Sequence, residues 1–305
     1  SINGESAPTS QRLVKEPFKI SRFARANGTQ LGILGVLFAL WIFFIVAAPG
    51  TFLQPQIYYA FMSTVPFYAM MAIPLTLLIV AKEMDLSFPS IMAMGMVSFL
   101  LTYKYTTGLA SVPVRVFISF IAALIAGVLI GWLNGVIVVK FGIPSLVATI
   151  GTQFFWRGAV LVLSQGQSGT LLYVKESFLY PLFVGKIGGY FPMQMIWLIL
   201  ITILGWIFLN RHKFGAHVYL IGDNIESAKL MGINTGRVRI QTFMLVGLVS
   251  AFAGIVASFH VVYFWPSLGE GYLLRTLASV FLGGTSVFGG VGTILGTFVG
   301  AFIIG

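Results

Sequence analysis

The strongest constraint on this chain is a series of long apolar stretches almost empty of charge. They run roughly over residues 31–49, 57–81, 86–103, 116–139, 144–164, 193–210 and 240–264, and a Gly-rich apolar region extends from 273 to the end. A charge at the bilayer centre costs about 2.5–3.5 kcal/mol on insertion scales. Runs of this length therefore read as membrane-spanning helices. They are continuous and lack period-2 alternation, which excludes a strand barrel. The expected class is an all-α, polytopic membrane protein with about 8–10 transmembrane helices. Composition agrees: 9% of residues are charged and 58% hydrophobic, against about 25% charge in a soluble domain.

The polar remainder narrows function by exclusion. Cysteine is absent, so disulfides, thiolate metal sites and cysteine nucleophiles are ruled out. Three scattered histidines, His212, His217 and His260, do not suggest a metal site. The net charge of +10 sits in loops flanking apolar runs, a pattern that orients a membrane protein rather than one that binds nucleic acid. Residues 1–30 form a basic tail with Arg12, Lys15, Lys19, Arg22 and Arg25. The apolar run behind it reads as a retained first span and not a cleaved signal peptide. A cytoplasmic N-terminus puts Lys82, Lys140 and the segment 211–239 inside as well. Lys104, Arg115 and the segment 165–192 then fall outside.

The segment from Arg211 to Arg239 is the longest polar insert. Within it, Gly222-Asp223-Asn224-Ile225-Glu226-Ser227-Ala228-Lys229-Leu230-Met231-Gly232-Ile233 reads as a short capped helix. Asp223 is the expected cap, with Glu226 reaching back to it, and Gly232 is the left-handed stop. Ile225, Ala228 and Met231 recur at i, i+3, i+6, with Leu230 nearby. Such a helix either lies on lipid headgroups or docks into a groove on a partner, with Lys229 and Arg237 reaching an acidic rim.

Few polar residues fall within the apolar runs: Asn134, Gln153, Arg157, His260 and Arg275. Gln153 and Arg157 share a helix face. Arg157 lies about 20 Å along a helix from Pro144, so it either snorkels outward or lines a path. Glu270 and Arg275 are expected to pair at the outer rim, and His260 to serve packing. Asp85 either caps the third span or meets solute. Gly283-Gly284 and Gly289-Gly290 interrupt the last apolar region, which is long enough for a broken or re-entrant segment. Gly292, Gly296 and Gly300 make small-xxx-small steps for close helix packing.

Four stretches then matter together. They are Met84-Asp85-Leu86-Ser87, Gly131-Trp132-Leu133-Asn134-Gly135 through Ile143-Pro144-Ser145 to Thr152, the 222–233 run, and Leu282-Gly283-Gly284-Thr285-Ser286-Val287-Phe288-Gly289-Gly290-Val291-Gly292. In this order and spacing the chain resembles the permease subunits of bacterial ATP-binding-cassette importers for monosaccharides, the ribose/xylose/galactose class. The resemblance covers about residues 55–305. It implies a permease domain over 31–305 with the type II architecture of vitamin-B12 importers, in the inner membrane, with terminal spans that continue beyond this sequence. It also implies a second permease copy, a periplasmic sugar-binding protein near the 165–192 loop, and cytoplasmic ATPases that dock on the 211–239 loop. Asp223, Asn224, Ile225, Glu226, Ala228, Lys229, Met231, Gly232 and Ile233 would form the coupling element. Asp85, Asn134, Gln153 and Arg157 are the translocation-path candidates.

The loop matches the family at Gly222, Asn224, Ala228, Gly232 and Ile233, with Ser227 where alanine is usual. Lys82-Glu83 precedes Asp85 where the family has a glycine pair, and Phe88-Pro89 follows where it has Val-Gly. The chain has no Gly-x-x-x-x-Gly-Lys-Ser/Thr run, so ATP and Mg would be used by the partner subunits, and this chain is expected to bind no cofactor or metal and to have no catalytic residue. The rival reading, an ion-coupled secondary transporter of small polar solutes, calls for a carboxylate near a span centre. Asp85 and Glu83 lie at a span end.

Overall fold

A computed structural model describes residues 28–305; most of the basic tail assigned to 1–30 lies outside these residues. The helices follow the apolar runs closely. They are α1 (Gly28–Ala47), α2 (Pro49–Phe52), α3 (Pro55–Val80), α4 (Phe88–Tyr105), α5 (Val112–Phe141), α6 (Ser145–Leu163), α7 (Leu179–Val184), α8 (Met193–Asn210), α9 (Lys213–Asp223), α10 (Ile225–Leu230), α11 (Thr235–Val261), α12 (Leu273–Leu282) and α13 (Ile294–Ile304). Six of them, α1, α3, α5, α6, α8 and α11, are long and apolar enough to cross a membrane. The all-α, polytopic architecture expected from the sequence is the one observed, and the remaining apolar runs form α4 and the last two helices. α4 is an 18-residue helix packed between α5, α6 and α11, and the last apolar region folds into a hairpin of two short helices.

The core is built on α3 and α11, whose apolar windows are 89% and 78% buried, whereas α1 is mostly exposed and buries Ile33 alone. Helices that are apolar all round and central pack on every side, while the outer ones keep a face for lipid. Small residues let the central helices touch. A Cβ on Gly131 would stand 2.3 Å from the Phe243 carbonyl oxygen, and one on Gly127 2.4 Å from that of Gly247. The α5–α11 contact thus runs backbone to backbone.

Two short antiparallel pairs brace the end opposite the polar insert. Gly169–Thr170 pairs with Tyr263–Phe264, and Lys186–Ile187 with Phe191–Pro192. The hairpin α12–α13 is antiparallel and equally close, since a Cβ on Gly300 would meet the Ser279 carbonyl at 2.3 Å and one on Gly296 that of Gly283 at 2.1 Å. It hangs on α3 through Tyr68 Oη, which donates to the Ala301 carbonyl (2.9 Å), and through the Thr76–Thr297 hydroxyl pair (2.7 Å). The Gly pairs read as a break in the last segment do mark its turn.

Gly131→Val tests this packing. It should lower the thermal unfolding midpoint of the detergent-solubilised protein, because overpacking a tight contact costs about 1–3 kcal/mol. Gly151→Ala, where an added Cβ meets nothing within 4 Å, should leave the midpoint unchanged.

Candidate functional site

The polar insert folds into two helices and the first turn of a third. His212 caps α9, accepting from Phe214 N–H at 3.1 Å. The cap of α10 is Asn224, in extended backbone (φ −149°, ψ 112°), whose Oδ1 accepts from the N–H groups of Glu226 and Ser227, both at 3.0 Å. This corrects the expectation for Asp223. It is the last residue of α9 and still helical, so the chain leaves the helical region one residue too late for it to cap. Glu226 does not reach back either; it accepts from Lys229 at 2.8 Å. Gly232 (φ +80°) ends α10 as expected. Its N–H donates to Lys229 and that of Ile233 to Ala228, closing the two bonds of a Schellman turn.

The faces of α10 differ from a simple apolar stripe. Ala228 is 1% exposed and Ile225 half-buried, both packed on a core formed by Val80, Leu209, Val218, Ile221 and Val238. Leu230 is 90% exposed and Met231 65%. Ile225, Ala228 and Met231 therefore do not share one exposed face.

Beneath the insert, three segments meet with almost no space between them. A Cβ on Gly222 would overlap the Val80 carbonyl oxygen (1.9 Å) and Gly290 N (2.6 Å). Gly290 N–H donates to that same carbonyl at 2.9 Å. Lys82, left-handed at φ +63°, donates from Nζ to the Asp223 carbonyl (2.9 Å), and its side chain lies over Gly289 (φ +79°). Tyr219 donates to the Gly292 carbonyl at 2.7 Å, and burial pushes its hydroxyl pKa up. Glu83 forms an ion pair with Arg239 at the start of α11, the carboxylate 8% and the guanidinium 18% exposed. Lys82 and Glu83, the positions that depart from the family pattern, thus tie the end of α3 to both sides of the insert. Their charge at a span end was the only sequence signal for this.

From Lys82 the chain climbs without helix to Phe88, flanked by α5 and α6. Met84 N–H donates to Ser145 Oγ (3.1 Å) and Leu86 N–H to Thr149 Oγ1 (3.0 Å). Asp85 is fully buried. Its carboxylate accepts from Ser87 N–H and Oγ (both 2.7 Å) and from Asn134 Nδ2 (3.3 Å), so Asp85 and Asn134 stand together. Higher on α6, the Gln153 carbonyl accepts from Ser90 Oγ (2.9 Å). Arg157 donates to the carbonyls of Pro266, Leu268 (3.1 Å) and Pro89 (3.3 Å), and pairs with Glu270 at 3.5 Å. Glu270 therefore pairs with Arg157 and not with Arg275, because the loop after α11 folds inward over α6. His260 Nδ1 bonds Gln194 Nε2 at 2.9 Å. Gly283, Gly296 and Gly300 stand at the hairpin contact, Gly284 (φ +81°) faces Thr29 and Ile33, and Gly292 packs on Val80 and Thr285.

An α-helical bundle with non-helical polar segments inside it and a capped amphipathic insert at one end is the build of a membrane permease. Residues 57–305 match the family described as "Branched-chain amino acid transport system / permease component", and the chain belongs to that family. It is 32% identical over 239 residues to the ribose import permease protein RbsC of Escherichia coli (strain K12), covering 78% of this chain and 72% of that one. It is 30% identical over 280 residues to the autoinducer 2 import system permease protein LsrC of Yersinia pestis (strain Pestoides F), covering 91% of this chain and 75% of the relative. No solved structure matches.

Two substitutions separate the capping residues. Asn224→Ala should speed amide exchange across 225–231 in hydrogen–deuterium exchange, since losing a cap costs about 0.5–2 kcal/mol. Asp223→Ala should leave exchange there unchanged.

Proposed function

We propose that this chain is the membrane subunit of an ATP-driven importer for a monosaccharide or related polyhydroxy solute. It works as one of two permease copies in the inner membrane, with the N-terminus and the 211–239 insert in the cytoplasm. A separate ATPase, using ATP and Mg, docks on α10, and a periplasmic binding protein delivers solute near residues 165–192. The ribose and autoinducer 2 permeases among the relatives support the polyhydroxy class over an amino acid.

One observation carries the reading: α10 shows Leu230 and Met231 to the outside while its inner face is packed against the end of α3. An ATPase groove that holds Leu230 and Met231 grips a lever already joined to the bundle. Asp223, Asn224, Glu226, Lys229, Gly232 and Ile233 shape that lever, and Ala228 and Ile225 seat it. The turn 81–83 and the tip 289–292 carry its displacement to the polar segment 84–87 and to the α12–α13 hairpin. Asp85, Asn134, Gln153 and Arg157 then border the path through the groups they hold in place, because irregular backbone at membrane depth belongs beside water or protein. The ion-coupled alternative finds less support, since Glu83 is committed to Arg239, Asp85 to Ser87 and Asn134, and Glu270 to Arg157.

Uptake of radiolabelled D-ribose, D-xylose and D-galactose into vesicles tests this. With ATPase and binding protein present, uptake of one of them should require ATP; uptake that follows a proton gradient without the ATPase would contradict the proposal. Leu230→Glu and Met231→Glu should abolish ATPase co-purification while leaving membrane insertion and unfolding temperature intact. Ala228→Glu should instead destabilise the fold, because it buries an unpaired charge.

The Glu83–Arg239 pair allows a separate check. Glu83→Gln or Arg239→Gln should cost stability, about 3–5 kcal/mol when one partner of a buried pair is removed. The exchange Glu83→Arg with Arg239→Glu should restore part of the loss and of the ATPase stimulation by the loaded binding protein.

A further inference from the structure

Two independent landmarks place the loop 265–272 deep in the bundle. The Tyr272 ring lies 6.5 Å from the rings of both Phe67 and Tyr68. Those residues are midway along α3, about 18 Å from its Val80 end. Arg157, which holds the carbonyls of Pro266 and Leu268, is likewise about 18 Å along α6 from Ser145. The loop therefore reaches mid-depth from the side opposite the insert, and α12 starts there.

At that depth the chain shows charge. The Glu270 side chain is 59% exposed despite its contact with Arg157, and Arg275 is exposed too. Gly271 and Leu274 are exposed between them, so the four fall at i, i+1, i+4, i+5 and share one face. Thr276, Ser279 and Val280, on the opposite side, are buried against α3 and α13. A carboxylate and a guanidinium facing hydrocarbon at mid-bilayer are unfavourable by several kcal/mol on most scales. This face therefore looks onto water.

We propose that Glu270 and Arg275 line the water-filled translocation path at mid-depth and hydrogen-bond the hydroxyls of a neutral polyhydroxylated solute as it passes. The carboxylate accepts and the guanidinium donates, so together they serve a diol without favouring a charged solute. Arg157 is the positioning residue that holds the loop there by two of its carbonyls, those of Pro266 and Leu268. The inference rests on the importer reading for the identity of the solute, while the exposure of the face to water is measured without it.

The natural absence of cysteine makes the test direct. Glu270→Cys, Arg275→Cys and Leu274→Cys are introduced singly, with Ile203→Cys on the outer apolar face of α8 as control, and the permease is purified as the complex with its ATPase. Each of the three should react with a charged methanethiosulfonate reagent about tenfold or more faster than the control, because the reactive thiolate forms only where water reaches. Rates equal to the control, or spontaneous disulfides between two copies with no reaction, would overturn the proposal; the latter would make this face a permease–permease contact. In vesicles, Glu270→Ala and Arg275→Ala should each lower ATP-driven uptake of whichever of D-ribose, D-xylose and D-galactose the unmutated permease carries about tenfold or more, the worth of a hydrogen bond to a charged group, with ATPase co-purification unchanged. Unaltered uptake in both would overturn the solute contact even if the thiols react. Uptake without ATP would instead refute the importer reading and leave the accessibility result standing.

Discussion

Within a bilayer no water is available to satisfy an exposed backbone N–H or carbonyl, and the rest of this structure is arranged around that constraint. Two segments leave the helical conformation at membrane depth, 82–87 from one side and 265–272 from the other. Each is supplied with partners from side chains. Ser145 and Thr149 take the N–H groups of Met84 and Leu86, and Ser87 and Asn134 surround the Asp85 carboxylate. Arg157 gathers three carbonyls, Pro89 from the first turn of α4 and Pro266 and Leu268 from the second segment. One guanidinium thus joins the second stretch to the start of the helix that follows the first.

The same economy of contacts fixes a six-residue helix to the end of the bundle. α10 has no stability of its own at that length. Its cap, its Schellman turn and the burial of Ala228 hold it against the end of α3. The backbone approach of Gly222 to Val80 and Gly290 leaves no room for the insert to slide independently. Lys82 and the Glu83–Arg239 pair add two polar ties across the same junction. Interdigitated backbone of this kind moves as a block, since packed contacts are bistable rather than continuously deformable.

Much of this was legible in the sequence, for physical reasons that also mark where legibility stopped. Charge-free runs located the helices to within a few residues, because the cost of a charge in hydrocarbon is large compared with any local propensity. The Gly-Gly pairs located the hairpin turn, which adopts positive φ at Gly284, Gly289 and Gly290. The cap was displaced by one residue because Asp223 and Asn224 are adjacent and both competent, and only backbone geometry chooses between them. The inward face of α10 was not readable from a spacing of i, i+3, i+6, because so short a helix has apolar residues on both sides and the bundle decides which are covered. Glu270 looked like a rim residue paired with Arg275 because nothing in Trp265-Pro266-Ser267-Leu268 announces that the loop turns inward.

The α10 insert, the end of α3 and the 283–293 tip should move as one rigid body. Spin labels at Leu230→Cys and Phe288→Cys, both exposed positions, measure it directly by pulsed electron resonance in the assembled complex. The distance between these two labels should be unchanged between nucleotide-free and ATP-bound states, while the distance from either to a label at Lys175→Cys on the opposite end shifts. A change between Leu230 and Phe288 as large as the change to Lys175 would contradict it.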